Sequence, residues 1–304
     1  MLLKRATTPE CSTGQIMRPN PDAARCDLLA AVSDDDPATG QRFLTHSAYA
    51  DDRHLRSRAA IYAYAETPAD PGWRTSLISW DGTQVVADVG CGNGFDLRQI
   101  VPQGRCGRAI GIDLSAGMLR SAGNLRESGR LSLVQADAQH LPLADGVVDV
   151  AMAMHMLYHV PDIPAALREL RRITKIGGTV LVSTNSPAHL AEIDDLMDAA
   201  ISRQLGRPAQ AMPALGFTTQ NGAAMLGREF SSVKLHTVDV SLSIPSAEPV
   251  IAYAASIREP SLAWVGEPID FEAVLDDIAV MVRQIVQAQG SFRASSHMGV
   301  FICH

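Results

Sequence analysis

From residue 84 onward, short apolar runs and amphipathic stretches alternate, and this rhythm constrains the chain more than any other feature. QVVADVG (84–90), RAIGIDL (108–114), LSLVQAD (131–137), VVDVAMAMH (147–155) and GGTVLVSTN (177–185) read as five buried strands. GFDLRQIV, SAGMLRSAGNLRES with Ser115 as its cap, and DIPAALRELRRIT read as the helices between them. Strands that are apolar on both faces, separated by helices, predict a parallel sheet covered on both sides. After Asn185 the pattern turns helical (HLAEIDDLMDAAISRQL, TQNGAAMLGREF), then strand-like (SSVKLHTVDVSLSI), then helical again before a last strand, HMGVFICH. The late helices predict a cap over a binding face.

The first strand runs into Asp88 and then glycines at 90, 92 and 94. A dinucleotide turn of the G-x-G-x-x-G type has its third glycine one position later, where this chain has Phe95. Glycine there lets backbone approach a ligand closely. Asp113 ends the second strand, where a carboxylate can bind both hydroxyls of a ribose. Phe95 and Asp96 crowd the place a pyrophosphate would take and add negative charge, which suits a cationic sulfonium better than a phosphate. The pattern therefore favours S-adenosylmethionine over a dinucleotide.

Charge and composition narrow the partners. The net charge is −7, and the densest basic cluster, Arg168–Arg172, falls on an amphipathic helix. Without a basic footprint, nucleic acid is not expected as a partner. No apolar run reaches the length of a membrane span and no long apolar region opens the chain, so neither membrane nor signal peptide is expected. Five cysteines, at 11, 26, 91, 106 and 303, form no C-x-x-C pair or His/Cys cluster. That argues for a reduced cytoplasmic setting and against a metal site. Residues 1–45 read as a partly disordered extension and 46–304 as one domain, with a cofactor core over 84–186 and a cap or acceptor region over 187–290. Within DDRHLRSRAAIYAYAE, an Asp51 or Asp52 cap and the Leu55, Ala59, Tyr62 spacing predict a helix.

D-V-G-C-G-N-G, G-I-D-L-S with M-L, A-D-A-Q-H-L-P, H-M-L-Y-H-V-P-D and G-G-T-V-L-V-S-T-N follow one another in this order. The series resembles the motifs of class I S-adenosylmethionine-dependent methyltransferases, in particular the branch of the ubiquinone/menaquinone methyltransferases and many actinobacterial natural-product methyltransferases. The resemblance implies a Rossmann-like α/β fold: a seven-stranded sheet with its last strand antiparallel, helices on both faces, an N-terminal lid helix and a helical cap before the last strand. It also implies positions for the cofactor. Asp88, Gly90, Cys91, Gly92, Asn93 and Gly94 would border the methionine part and Asp113 would hold the ribose. Leu114 and Met118 would pack on adenine, with Asp137, Ala138 and Gln139 at its edge, and Met154 would lie beneath the sulfonium. In the lid helix, Arg58 would meet the methionine carboxylate and Tyr49 or Tyr62 would lie near the sulfonium.

His155, Tyr158 and His159 follow the fourth strand, at the carboxyl end of the sheet where an acceptor would meet the methyl group. A histidine there can take a proton near its ordinary pKa of about 6.5. His155 is the expected base, and His189, Tyr253, Trp264 and Phe271 are expected around a flat aromatic acceptor: an indole, phenol or quinol. The expected activity is methyl transfer to such a small molecule at C, N or O, by a monomer or homodimer. The alternatives are an RNA-modifying methyltransferase and a non-catalytic S-adenosylmethionine-binding protein.

Overall fold

Five apolar strands in the first two-thirds of the chain pair side by side, with Val85–Val89, Arg108–Asp113 and Val148–Met154 the most deeply buried and Leu131–Gln135 at the edge only partly covered. The computed structural model describes residues 36, 39–67, 70–210 and 214–304. The extension expected over 1–45 falls outside the described residues except for 36 and 39–45. Within Ser33–His304, β1 (Val85–Val89), β2 (Arg108–Asp113), β3 (Leu131–Gln135), β4 (Val148–Met154), β5 (Thr174–Asn185), β6 (Val233–Ile244) and β7 (Phe292–Cys303) form one seven-stranded sheet. Its order is β3-β2-β1-β4-β5-β7-β6. β1 pairs in parallel with both β2 and β4, so the chain reverses its direction of sheet growth between them. β7 is antiparallel to β5 and to β6. The expected Rossmann-like sheet with an antiparallel last strand is the fold observed.

The helices are α1 (Gln41–Phe43), α2 (Arg53–Ala60), α3 (Ala116–Ser121), α4 (Ile163–Ile173), α5 (Ala191–Leu205), α6 (Gly222–Leu226), α7 (Glu248–Ser256), α8 (Arg258–Val265) and α9 (Phe271–Gln289). Caps set several boundaries. Asp162 Oδ1 accepts from Ala165 N at the start of α4, and Asp270 Oδ1 accepts from Glu272 N and Ala273 N at the start of α9. Gly206, Gly266 and Gly290 end α5, α8 and α9 in the left-handed region. One core, with Leu167, Leu170, Phe217 and Phe301, covers one part of the sheet; another, with Leu97, Ile100, Met152 and Leu181, covers a second. A third core joins α5, α7 and α9 to β6 and β7 through residues such as Ile193, Val250, Ile278 and Leu242.

Three local expectations are corrected. GFDLRQIV is not an α-helix but a single 3-10 turn, Leu97–Gln99. Its backbone mixes an Arg98-to-Gly94 bond with the tighter Gln99-to-Asp96 bond, and Gly94 enters it at φ +80°. SAGMLRSAGNLRES splits into α3 and a 3-10 segment, Gly123–Ser128, because Gly123 falls where the helix would continue. The cap of α2 also differs. Asp52 stands at the cap position, but its carboxylate takes Arg56 Nε at 2.6 Å and Asn93 Nδ2 at 3.2 Å instead of the helix N–H groups.

α2 and the segment before it are drawn onto the carboxyl end of the sheet. Ser115 Oγ accepts from Gly117 N and Met118 N as the α3 cap, and donates to Tyr49 O at 2.7 Å. A Cβ on Gly117 would lie 1.8 Å from Ala50 O, so only glycine admits this contact. The residues 39–64 thereby form a wall over the strand ends.

Candidate active site

The carboxyl ends of β1, β2 and β4, the turn after β3, and the wall of residues 39–64 enclose one cavity of about 700 Å³. That is within the range of small-molecule sites. It lies at the reversal between β1 and β4, where open α/β sheets bind ligands.

The β1–β2 side is charged. Gly90 and Gly92 turn at φ +70° and +54°, which keeps their backbone at the cavity surface. Asp113 Oδ2 accepts from Gly92 N and Oδ1 from Ser115 N, both at 2.8 Å. Each oxygen retains a further lone pair, so the carboxylate is oriented and can still accept from a diol. Burial raises the Asp113 pKa, and the two backbone N–H groups oppose that rise. Asp88 sits deeper, with its Oδ1 buried and unpartnered. Burial pushes its pKa well up, and Asp96 and Asp113 push in the same direction. Arg58 Nη1 donates to Ser256 O at 3.2 Å and its guanidinium lies 5.4 Å from the Tyr49 ring centre, while Nη2 is buried and unpartnered. An unpaired buried cation donor and an unpaired buried carboxylate oxygen suit the two ends of an amino acid. Farther along, Asp137 Oδ2 accepts from Gln41 Nε2 at 2.6 Å, and its Oδ1 accepts from Gln139 N at 2.9 Å. These acceptors, with the Arg58 donor, suit the methionine, ribose and adenine parts of S-adenosylmethionine.

Asp96 does not add to the cavity the negative charge expected of it. Arg74 holds it in a two-pronged ion pair, Nε–Oδ1 at 3.0 Å and Nη2–Oδ2 at 3.1 Å, and also lies 5.2 Å from the Phe95 ring centre. The side chains are only 12% and 8% exposed, so Asp96 contributes little net negative charge to the cavity. Preference for a cationic ligand rests on Asp88 and Asp113 instead.

The β4–β5 side carries neutral polar groups. His155 is in the left-handed region at φ +54°, and its N–H donates to Ser183 O at 3.1 Å. Burial, the Arg74 charge and His189 hold its pKa well below 6.5, so the titration near 6.5 expected of this histidine is displaced downward. Burial also raises the Tyr158 pKa. Tyr49 Oη and His159 Nε2 are 2.8 Å apart, and the His159 ring meets both Tyr49 and Tyr158 edge-on. Tyr62 Oη lies 3.3 Å from His189 Nε2.

Except for Gly94, the cofactor and catalytic candidates taken from the sequence line this cavity: Tyr49, Arg58, Asp88, Gly90–Asn93, Asp113, Leu114, Met118, Asp137–Gln139, Met154, His155, Tyr158 and His159. Gly94 does not line it; a Cβ there would meet Leu125 at 2.7 Å, so this glycine serves packing. Tyr253 and His189 reach the cavity, but Trp264 and Phe271 do not. Trp264 Nε1 donates to Gln210 O, and Phe271 is buried in the third core beneath Arg258. Sequence reasoning missed Gln41, Arg74 and Met298, which belong to no local motif, and Asn185, which ends the β5 motif and whose place at the strand end was the signal for it. No group of three metal-ligating side chains occurs among the described residues, and none of their helices is long and apolar enough to cross a membrane.

Known proteins share part of this sequence and its fold. Residues 87–182 match the family model of a methyltransferase domain. A malonyl-[acyl-carrier protein] O-methyltransferase of Serratia marcescens is 35% identical over 117 residues, 38% of this chain and 44% of that protein. A demethylmenaquinone methyltransferase of Thermobifida fusca is 32% identical over 132 residues, 41% of this chain and 55% of that protein. The chain spans about half the length of these curated relatives. Two solved structures share the fold. A protein of Bacillus halodurans described as a methyltransferase has a TM-score of 0.52 at 16% identity, over 77% of this chain and 97% of that one. The YcgJ protein of Bacillus subtilis has a TM-score of 0.51 at 15% identity, over 76% and 96%. The methyltransferase-domain match and the shared fold are in line with the resemblance of the motif series.

Proposed function

We propose that this protein moves the sulfonium methyl group of S-adenosylmethionine to a small, electron-rich aromatic acceptor. One observation carries the reading: a single cavity joins a charged side, suited to an adenosyl amino acid, to an uncharged side walled by tyrosines and histidines. Asp113 would bind the ribose, Leu114 and Met118 the adenine faces, and Asp137, Ala138 and Gln139 its edge. Asp88, Arg58 and the Gly90–Asn93 turn would take the methionine end, with Met154 beneath the sulfur. The bound cofactor supplies an activated methyl group. The protein's own part is alignment and exclusion of water, with His155, Tyr158 and His159 on the acceptor side.

Two relatives are named for malonyl-[acyl-carrier protein] and for demethylmenaquinone. Tyr62, Tyr158 and Tyr253 around one chamber favour a flat ring over an acyl chain. Calorimetry with S-adenosylhomocysteine tests the cofactor half. A tritiated-methyl assay against small-molecule extract, tRNA and protein tests the acceptor half. Label in the small-molecule fraction is expected. Label in tRNA would replace this reading with RNA modification, and binding with no transfer would make the protein a sensor of the cofactor.

A further inference from the structure

Three imidazoles, those of His155, His159 and His189, line the acceptor side, and a backbone carbonyl stands against one ring nitrogen of His189. Nδ1 of His189 lies 3.2 Å from the His297 carbonyl oxygen, which can only accept. Its other neighbour, Ser296 Oγ at 3.4 Å, can accept as well as donate, so the nearer carbonyl favours the hydrogen on Nδ1 and the lone pair on Nε2. The ring is also anchored through its backbone. His189 N donates to Ser186 O at 3.0 Å, and Leu190 N donates to Ser295 O at 2.8 Å although Leu190 sits at φ +56°. A residue with a side chain holds that conformation only when its surroundings impose it. Two backbone groups of β7 thus set which nitrogen of His189 faces Tyr62. His155, by contrast, has no side-chain hydrogen bond among the described residues to set its ring.

The groups around Nε2 describe the ligand it can serve. Tyr62 Oη is 3.3 Å from Nε2 and 3.3 Å from Ser296 Oγ, so the tyrosine hydroxyl can turn to the serine and release the lone pair. Asn185 Oδ1, also at the cavity, is buried and unpartnered. Both free sites accept hydrogen bonds, so the ligand must donate. Tyr158 and Tyr253 give the chamber flat aromatic walls. The cations whose fields reach this side are Arg58, acting on Tyr158 and Tyr253, and Arg74, acting on His155. They oppose an ammonium and favour a group that gains negative charge as it loses a proton. Among flat donors, a phenol ionises near pH 10 and an indole N–H is a far weaker acid.

We infer that His189 Nε2 is the proton acceptor for a phenolic hydroxyl bound between Tyr62, Asn185 and the tyrosine walls. The inference deepens the methyl-transfer reading and rests on it. The phenol oxygen bonds the methyl carbon while the carbon–sulfur bond breaks and leaves its electron pair on sulfur. The phenolic proton passes to Nε2, and from the imidazolium to solvent. The positive charge that leaves sulfur reappears on the imidazolium, so the net charge of the chamber does not change. Before reaction, burial pushes the His189 pKa down to about 4; the His297 carbonyl opposes that shift and the His297 ring adds to it. Asp194 faces the same region through Tyr253. His189 therefore rests neutral, in the form that can take a proton.

The test uses the full chain with 4-methylphenol and the more acidic 4-nitrophenol as acceptors at pH 7.5. His189→Gln should lower methylation of 4-methylphenol by about 10²-fold or more, and that of the largely ionised 4-nitrophenol by less than about tenfold. S-adenosylhomocysteine affinity should stay within a few-fold. In the unsubstituted protein, ¹⁵N NMR of labelled histidine should show His189 with its hydrogen on Nδ1, a readout that does not depend on the variant folding. Equal losses on the two phenols, a hydrogen on Nε2, or an unsubstituted protein that binds S-adenosylhomocysteine yet methylates neither phenol would each overturn the inference. Failure of that protein to bind S-adenosylhomocysteine would instead strike the underlying methyl-transfer reading.

Discussion

The two sides of the cavity handle charge in opposite ways. On the cofactor side, Asp88, Asp113 and the Arg74–Asp96 pair come close together, with Arg58 across from them. On the acceptor side, His155 and His189 are held neutral by burial and the tyrosine pKa values are pushed up. One side binds by charge placed in advance; the other keeps its titratable groups uncharged until something donates to them. The methyl transfer proposed above, from a cation to a protic acceptor, would need both, and Met154 and His155 lie at the junction between the two sides.

Removing Arg74 should break the charged side most severely. Arg74→Ala leaves Asp96 buried without its cation and should destabilise the fold by about 3 kcal/mol. Adding Asp96→Asn should recover much of the loss. Urea titration reads both, and a single-variant loss below about 1 kcal/mol would mean that charge balance does not hold this side together.

Asp113→Ala should weaken S-adenosylhomocysteine binding by about 1–3 kcal/mol in calorimetry, because the ribose hydroxyls lose their oriented acceptor. Unchanged affinity in a folded variant would remove Asp113 from the ribose site and blur the division between the sides.

Acidity should sharpen the comparison, because the two sides carry opposite linkage signs. His155 and His189 have depressed folded pKa values, so between those values and about 6.5 the unfolded chain binds more protons. Stability on their account is full above about 6.5 and falls as pH drops toward about 4 for His189. Asp88 and Asp113 have raised folded pKa values, so their effect is reversed. They cost stability as pH rises above about 3.8, until their folded pKa values are passed. Denaturation at pH 7.5 and pH 5 should show His189→Gln reducing the acid-side loss by roughly 1–2 kcal/mol. Asp88→Asn should raise the stability of the ligand-free protein at pH 7.5. If neither substitution changes the pH slope, burial of these groups is not coupled to folding.

The smallest effect is expected at the join between the wall and β4. Tyr49→Phe removes the 2.8 Å contact with His159 and should cost about 0.5–1.5 kcal/mol in thermal or chemical unfolding. Cofactor binding should change little, since Arg58 and Asp113 remain. A loss as large as that of Asp113→Ala would mean the tyrosine positions the charged side too.

The charged side was far more legible in the sequence than the neutral one. Asp88, the glycine turn, Asp113 and Asp137 sit at or just past the ends of successive strands, so alternation alone brings them to one edge. Asp113 could be read without knowing any contact. The charge of Asp96 was not legible for a different reason: Arg74 reaches it from outside the motif, and its pairing depends on a turn that carries no local signature. The places of Trp264 and Phe271 were hidden in the same way. Residue type suggested an aromatic wall, but helix orientation sends one toward Gln210 and buries the other in the third core.

By itself, the sequence determined the sheet of parallel strands, the glycine turn, and the carboxylate positions along the strand ends. Those depend on period, local sterics and spacing, which are properties of neighbouring residues. The tertiary structure alone decided the charge pairing of Asp96, the approach of Tyr49 and Ala50 to Gly117, and the carbonyl set against Nδ1 of His189. Each joins groups from distant parts of the chain, and the chemistry of a buried imidazole is set by the atom it touches: here, a carbonyl oxygen more than a hundred residues away.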